Sequence, residues 1–167
     1  MANEILTAEK LRALLEYDPT TGNFRYLKSL QGRKPGDLAG NQDQSGYRMH
    51  EILGRKYRAH RLAWLYMTGE WPPSNIDHIN GNRGDNKWGN LRLASGAINA
   101  QNLRNAHKRN QTGLLGVSVK RGHGNKPFGA KIRANGKYVH IGYFRTPEEA
   151  HGAYVEAKRR LHQGCTL

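Results

Sequence analysis

One cysteine, Cys165, in 167 residues excludes a disulfide framework and any zinc site built on several thiolates. Aromatic residues are sparse at 8%, and they form no stacking run of the kind that reads single-stranded RNA. No apolar run approaches the ~18 residues of a membrane-spanning helix, and mean hydropathy is −0.83. No basic amphipathic segment suited to a membrane surface is evident. The segment Met1–Asp18 carries acids early and lacks a long apolar core, so a secretory signal is not expected. Acidic residues are also scarce: 13 Asp and Glu stand against 27 Lys and Arg, for a net charge of +14. The expectation is a soluble protein of a reducing compartment with a strong positive field. Such a field favours a polyanion, because neutralising phosphates releases condensed counterions.

That charge is uneven. Residues 1–70 hold 11 basic and 8 acidic side chains, residues 71–107 hold 4 and 2, and residues 108–167 hold 12 and 3. The last third therefore reads as a separate basic module. The domain expectation is 1–106, a polar Asn-rich linker at 107–113, and 114–167. In the first part, Thr7 caps a short helix with Leu11, Leu14 and Leu15 on one side, stopped by Asp18-Pro19. A strand is expected at Phe24–Leu27, and a hairpin at Gly46–Leu53 and Lys56–Ala59 turning on Gly54-Arg55. His60–Thr68 is too densely apolar to face water and predicts a buried helix ended by Gly69. His60 heads that helix either as a hydrogen-bonded structural residue or as a phosphate contact.

The centre of the chain carries the chemistry. A short strand at Ile76–Ile79, a Gly/Asn/Asp loop at Asn80–Gly89, a strand at Asn90–Ala94 and a helix capped by Ser95 form a strand–loop–strand–helix unit. It puts the Asp77-His78 pair on one strand and an Asn on the first turns of the helix. A hard divalent cation takes oxygen ligands such as the Asp77 carboxylate and an Asn carbonyl, keeping water and phosphate in its other positions. A neutral imidazole such as His78 can take a proton from an attacking water. Together these suit phosphodiester hydrolysis.

The pattern Asp77-His78, then Asn90 in Asn-Leu-Arg, then Asn99 resembles the HNH (ββα-metal) nucleases, in particular the phage and intron-encoded homing endonucleases. The run Ala59–Gly69 and the loop Gly81–Asn86 resemble that group too, so the likeness covers about residues 45–105. The resemblance implies His78 as general base, with Asp77 and Asn99 as ligands of one Mg²⁺ or Mn²⁺. It further implies that Asn90 pins the loop and orients the imidazole. The cysteine pairs that hold a structural zinc in some branches are missing, so none is expected. Asn102 is either a supporting residue near Asn99 or a phosphate contact, and Trp88 is expected to cover the loop.

In the basic module, alternating segments at Leu115–Lys120, Phe128–Arg133 and Tyr138–Phe144 precede a helix at Pro147–Leu161. Asn135-Gly136 is a hairpin signal. Period-two reading puts Phe128, Ala130, Ile132, Val139 and Ile141 on one face, and Ser118, Lys120, Lys131, Arg133, Tyr138 and His140 on the other. A basic sheet face of this kind fits the DNA major groove. Gly116-Val117, Ala130–Arg133, Val139–Phe144 and Glu148–Tyr154 resemble the Apetala-type (ethylene-response-factor) DNA-binding domain. That resemblance implies a three-stranded antiparallel sheet packed on one helix, binding DNA through Ser118, Lys120, Arg121, Lys131, Arg133, Tyr138 and His140.

The fold class expected is thus α+β: an N-terminal helix and hairpin region, a ββα-metal module, then the sheet-and-helix domain. The function expected is a metal-dependent endonuclease on double-stranded DNA, nicking as a monomer or cutting both strands as a dimer or in two sequential visits. No small-molecule cofactor or membrane is expected, and the resemblance implies a phage- or mobile-element gene acting in a bacterial cytoplasm. The alternative is a non-catalytic, sequence-specific DNA-binding regulator with a relic HNH fold.

Overall fold

A computed structural model describes residues 6–30, 32–103, 105–162 and 165, without the side chains of Ala97, Asn99 and Ala100. The fold is α+β, with helices and small antiparallel sheets in two compact units, Met1–Ser95 and Gly96–Leu167. The sequence-based seam at 107–113 lies inside the second of these units.

In the first unit Thr7 caps α1 (Ala8–Leu14), its hydroxyl accepting from Lys10 N at 3.3 Å. The helix stops earlier than its leucine spacing predicts. From Leu15 the chain is extended, and β1 (Leu15–Asp18) pairs antiparallel with β2 (Asn23–Tyr26). The reason is the switch to period two, since Leu15 and Tyr17 are buried while Glu16 is exposed. The Asp18 carboxylate accepts from the backbone and hydroxyls of Thr20 and Thr21, closing the β1–β2 turn.

A second sheet has the order β3 (Asn41–Gln42), β4 (Arg48–Ile52), β5 (Arg55–Arg58). Its tight turn is Leu53-Gly54, with φ of 52° and 73°, one residue earlier than the expected Gly54-Arg55. Two left-handed residues match the twist of the flanking strands. Helix α2 (Ala59–Thr68) buries Ala59, Leu62, Ala63 and Leu65 and ends at Gly69, whose N–H bonds Leu65 O at 2.9 Å. These side chains join Leu6, Leu11, Leu15 and Phe24 in one core. On it lie β6 (Asn75–His78) and β7 (Leu91–Ala94), paired with Asp77 opposite Arg92 and His78 opposite Leu91.

The second unit holds α3 (Gly96–Gln101) and a sheet of β8 (Val117–Val119), β9 (Phe128–Ala134) and β10 (Lys137–Phe144) in the order β10-β9-β8. Helix α4 (Pro147–Leu161) starts at a Thr146 cap, with Pro147 in its first turn. Its Ala150, Tyr154 and Ala157 pack on Val117, Ala130 and Ile132. The close approach shows at Gly116, where φ is +81° and a Cβ would lie 2.0 Å from the Tyr154 ring. Among the described residues no helix is long and apolar enough to cross a membrane.

One part of the expected face pattern is corrected. A register shift between His140 and Gly142 breaks the alternation in β10. Val139, ahead of the shift, keeps its expected face opposite the buried Ile132 although it is 42% exposed, whereas Tyr143, beyond the shift, stands opposite Gly129 on the face of Lys131 and His140. An inserted residue locally changes which way the following side chains point.

Candidate active site

Asp77 and His78 are both 5% exposed, on the last two residues of β6. Burying a charge or imidazole requires polar partners, and the fold supplies them. Arg92, across the strand pair, donates from Nε at 3.1 Å and Nη2 at 2.8 Å, both to Asp77 Oδ2. His78 Nε2 faces Asn86 Oδ1 at 3.3 Å. The Asn86 amide is itself fixed, because its Nδ2 donates to Gly84 O at 3.0 Å and leaves Oδ1 toward the ring. Nε2 therefore carries the proton, and Nδ1 is the nitrogen with the basic lone pair. Burial, the largest influence, holds the His78 pKa below the usual 6.5, opposed by the Asn86 bond and by Asp77 and Asp85. Arg83 adds to the lowering.

Asn86 sits in the loop between β6 and β7, and two sets of contacts hold that loop. Within it, Asn90 Nδ2 donates to Asp85 O at 2.7 Å and Asn80 Oδ1 at 3.0 Å, while its Oδ1 accepts from Asn80 N at 2.9 Å. From outside, the β1–β2 hairpin supports it. Tyr17 Oη donates to Asn86 O at 2.7 Å, and Trp88 N donates to Pro19 O at 3.0 Å. Gly22 (φ +74°) lies so close that a Cβ would sit 2.4 Å from Asn86 C. Burial and the nearby Asp18 and Asp85 raise the Tyr17 pKa, so its hydroxyl stays a donor. Trp88 is half-buried against Trp64, ring centroids 5.2 Å apart.

His60, in the first turn of α2, is 5% exposed and meets His78 edge-on, ring centroids 5.0 Å apart. Burial, then the His78 ring and two arginines, lower its pKa to about 3. It is a neutral, buried neighbour rather than a surface phosphate contact. Asn99 lies in α3, and its side chain is outside the described residues. Asn102, just past that helix, is 7% exposed.

Of the residues expected on the DNA-facing sheet, Lys120, Arg121, Lys131, Arg133, Tyr138 and His140 are exposed and Ser118 is half-buried. Cross-strand register sets Tyr138 opposite Arg133 and His140 opposite Lys131. Lys131 Nζ lies 4.7 Å and Arg133 Cζ 6.0 Å from the Tyr138 ring centre. Tyr143 and His123 extend this face, stacked with centroids 3.7 Å apart.

Sequence reasoning missed Asn86, Arg92, Tyr17 and Tyr143. Only Arg92 left a usable signal, as the Arg of Asn-Leu-Arg two residues after Asn90. The others are selected by tertiary contact.

The HNH endonuclease family model matches residues 57–101, the segment from β5 through α3 that contains Asp77, His78, Asn90 and Asn99. No curated protein matches the chain. Among solved structures the chain is similar to one described as "DNA binding and cleavage by the HNH homing endonuclease I-HmuI", at 23% identity and a TM-score of 0.41. The likeness covers 53% of this chain and 51% of that one, so the chain spans about half the length of the structure it matches.

Proposed function

We propose that the protein is a metal-dependent endonuclease that hydrolyses phosphodiester bonds of double-stranded DNA. The observation that carries this reading is the imidazole of His78, buried within the HNH-matched segment with its tautomer set by Asn86. Such a group is neutral near pH 7 and presents Nδ1 as a base. His78 takes the proton of the attacking water at Nδ1, and the Nε2–H bond to Asn86 supports the imidazolium that forms. Asn90 holds the loop that carries Asn86, and Arg92 keeps the Asp77 carboxylate fixed on its strand.

The donor chemistry fits a hard cation. Asp77, at the end of β6, offers carboxylate oxygen, the donor a hard divalent cation prefers. Asp77 and Asn99 would hold one Mg²⁺ or Mn²⁺. Bound there, the ion would stabilise charge on the scissile phosphate and the leaving 3′ oxygen.

Residues 114–167 act as the DNA-binding domain in this reading, joined through 107–113 to the nuclease region 1–106. Ser118, Lys120, Arg121, Lys131, Arg133, Tyr138 and His140 form its docking face, of the Apetala type. The support is the basic, exposed sheet face and the charge of residues 108–167.

Incubating the purified chain with supercoiled plasmid and Mg²⁺ or Mn²⁺, with and without chelator, tests the proposal. Relaxed or linear product that chelation abolishes is the expected result. A salt-sensitive gel shift without any cleavage would replace the enzyme by a DNA-binding regulator.

A further inference from the structure

Tyr47 closes the turn before β4. Its N–H donates to Asp43 Oδ1 at 3.0 Å, and its C=O accepts from Asp43 N at 2.8 Å. The half-buried ring lies 5.4 Å from His60 and 6.1 Å from His78, centroid to centroid, completing a triangle of rings around the imidazole. Two guanidinium groups use the same ring. Arg58 Cζ is 4.4 Å and Arg83 Cζ 5.0 Å from its centre.

These arginines come from different elements, the end of β5 and the loop after β6, and both are exposed. Arg83 gives one N–H to Ser45 O at 3.2 Å. Among the described residues neither guanidinium forms an ion pair with a carboxylate. Two cations held within 5.0 Å of one ring centre concentrate positive potential at one place. An anion with several oxygens is drawn to such a place, and the planar guanidinium fork matches a phosphate in particular. The polar work of the site is otherwise inward: His78, Asn86 and Asp77 are all buried. Arg58 and Arg83 are cations of the same region that face outward.

We propose that Arg58 and Arg83, held on the Tyr47 ring, form a clamp for a DNA backbone phosphate beside the bond that water, deprotonated by His78, attacks. This rests on the nuclease reading for its location but not for its binding chemistry. Tyr47 is a positioning residue, acting through the two arginines.

Salt-dependent binding of the full chain to a duplex of mixed sequence provides the first test. Each of Arg58→Gln and Arg83→Gln should reduce the slope of log K against log salt by about 0.9, the value for one phosphate contact. Tyr47→Leu removes no charge yet should flatten the slope as well, whereas Tyr47→Phe should leave it as in the parent. Unchanged slopes in both arginine variants, or a Tyr47→Leu variant that is folded and binds like the parent, would overturn the clamp.

In the second arm the cut is mapped on plasmid, and duplexes then carry single neutral methylphosphonates around it. One position should slow the parent by about tenfold or more, the scale of a lost charge-assisted hydrogen bond. The same substitution should cost the double arginine variant nothing further. Equal sensitivity of parent and variant overturns the clamp. A parent that cuts no DNA while its slope still depends on both arginines leaves the clamp standing and removes the nuclease reading.

Discussion

The two units bear most of their polar groups in opposite ways. In Met1–Ser95 the chemically interesting side chains other than Arg58 and Arg83 are buried: His50, His60, Asp77, His78 and Asn86 are each 5% exposed or less. In Gly96–Leu167 they stand on the open face of a sheet, as Lys131, Arg133, Tyr138 and His140 do. Proton transfer needs a group whose tautomer and basicity are fixed, and burial with chosen partners fixes both. Gripping a polyanion needs charges that water can reach and a ligand can cover. In the first unit the β1–β2 hairpin holds the loop that carries Asn86, while in the second an alanine-lined helix backs an exposed, basic sheet face.

The largest contrast should appear on removing one imidazole. His78→Ala should reduce cleavage by at least ~10²-fold, the scale of a lost general base, with DNA affinity nearly unchanged. Single-turnover rates and a binding titration on the same variant check this. Because burial holds the His78 pKa below 6.5, the imidazole stays neutral as pH falls through that value. The acid limb of kcat/KM should accordingly lie below pH 6.5.

Acid should separate the units next. His50 is 2% exposed and neither ring nitrogen has a hydrogen-bond partner among the described residues. Burial and Arg48 lower its pKa from 6.5 to about 4. Between those values the unfolded chain binds the proton and the folded one does not. Stability is therefore complete above pH 6.5 and falls as pH drops toward 4, by roughly 3 kcal/mol for this one group. Chemical denaturation from pH 7 to pH 4 should show the loss, and His50→Leu should remove this share of it while the share of the buried His60 and His78 remains. A parent curve with no such slope would mean that the ring finds a proton partner in solution.

Close backbone approach distinguishes them less sharply. Gly22→Ala and Gly116→Ala should each destabilise by about 2 kcal/mol or more, since both add a Cβ at positive φ against occupied space. Only the first should also slow cleavage under conditions where the chain remains folded, because Gly22 backs the Asn86–Lys87 peptide. The smallest effect belongs to the open sheet. Lys131→Gln and Arg133→Gln should each lower the salt slope of DNA binding by about 0.9 and leave cleavage at saturating protein near the parent rate. A large drop in that rate would show that the sheet does more than hold DNA.

Local chemistry made much of the architecture legible. The Thr7 and Thr146 caps, the Gly69 stop and the Asn135-Gly136 turn mark elements found at those positions. The failures share one cause. The α1 helix ends early because Leu15 and Tyr17 are needed on one side of a strand, and β10 changes face because of an inserted residue. The first shows locally only as the short alternation Leu15-Glu16-Tyr17, which a helix reading also accommodates, and the second is decided by what packs opposite.

The amino-acid order by itself determined the basic field, the α+β succession and the Asp77-His78 pair on a short strand, because charge, capping and periodicity act over a few neighbouring residues. Only the tertiary structure decided which nitrogen of His78 faces Asn86, that Arg92 meets Asp77, and that Tyr17 and Gly22 hold the loop bearing Asn86. Those contacts join residues up to 69 positions apart. Their geometry exists only once the core has brought the hairpin, the helix and the strand pair together.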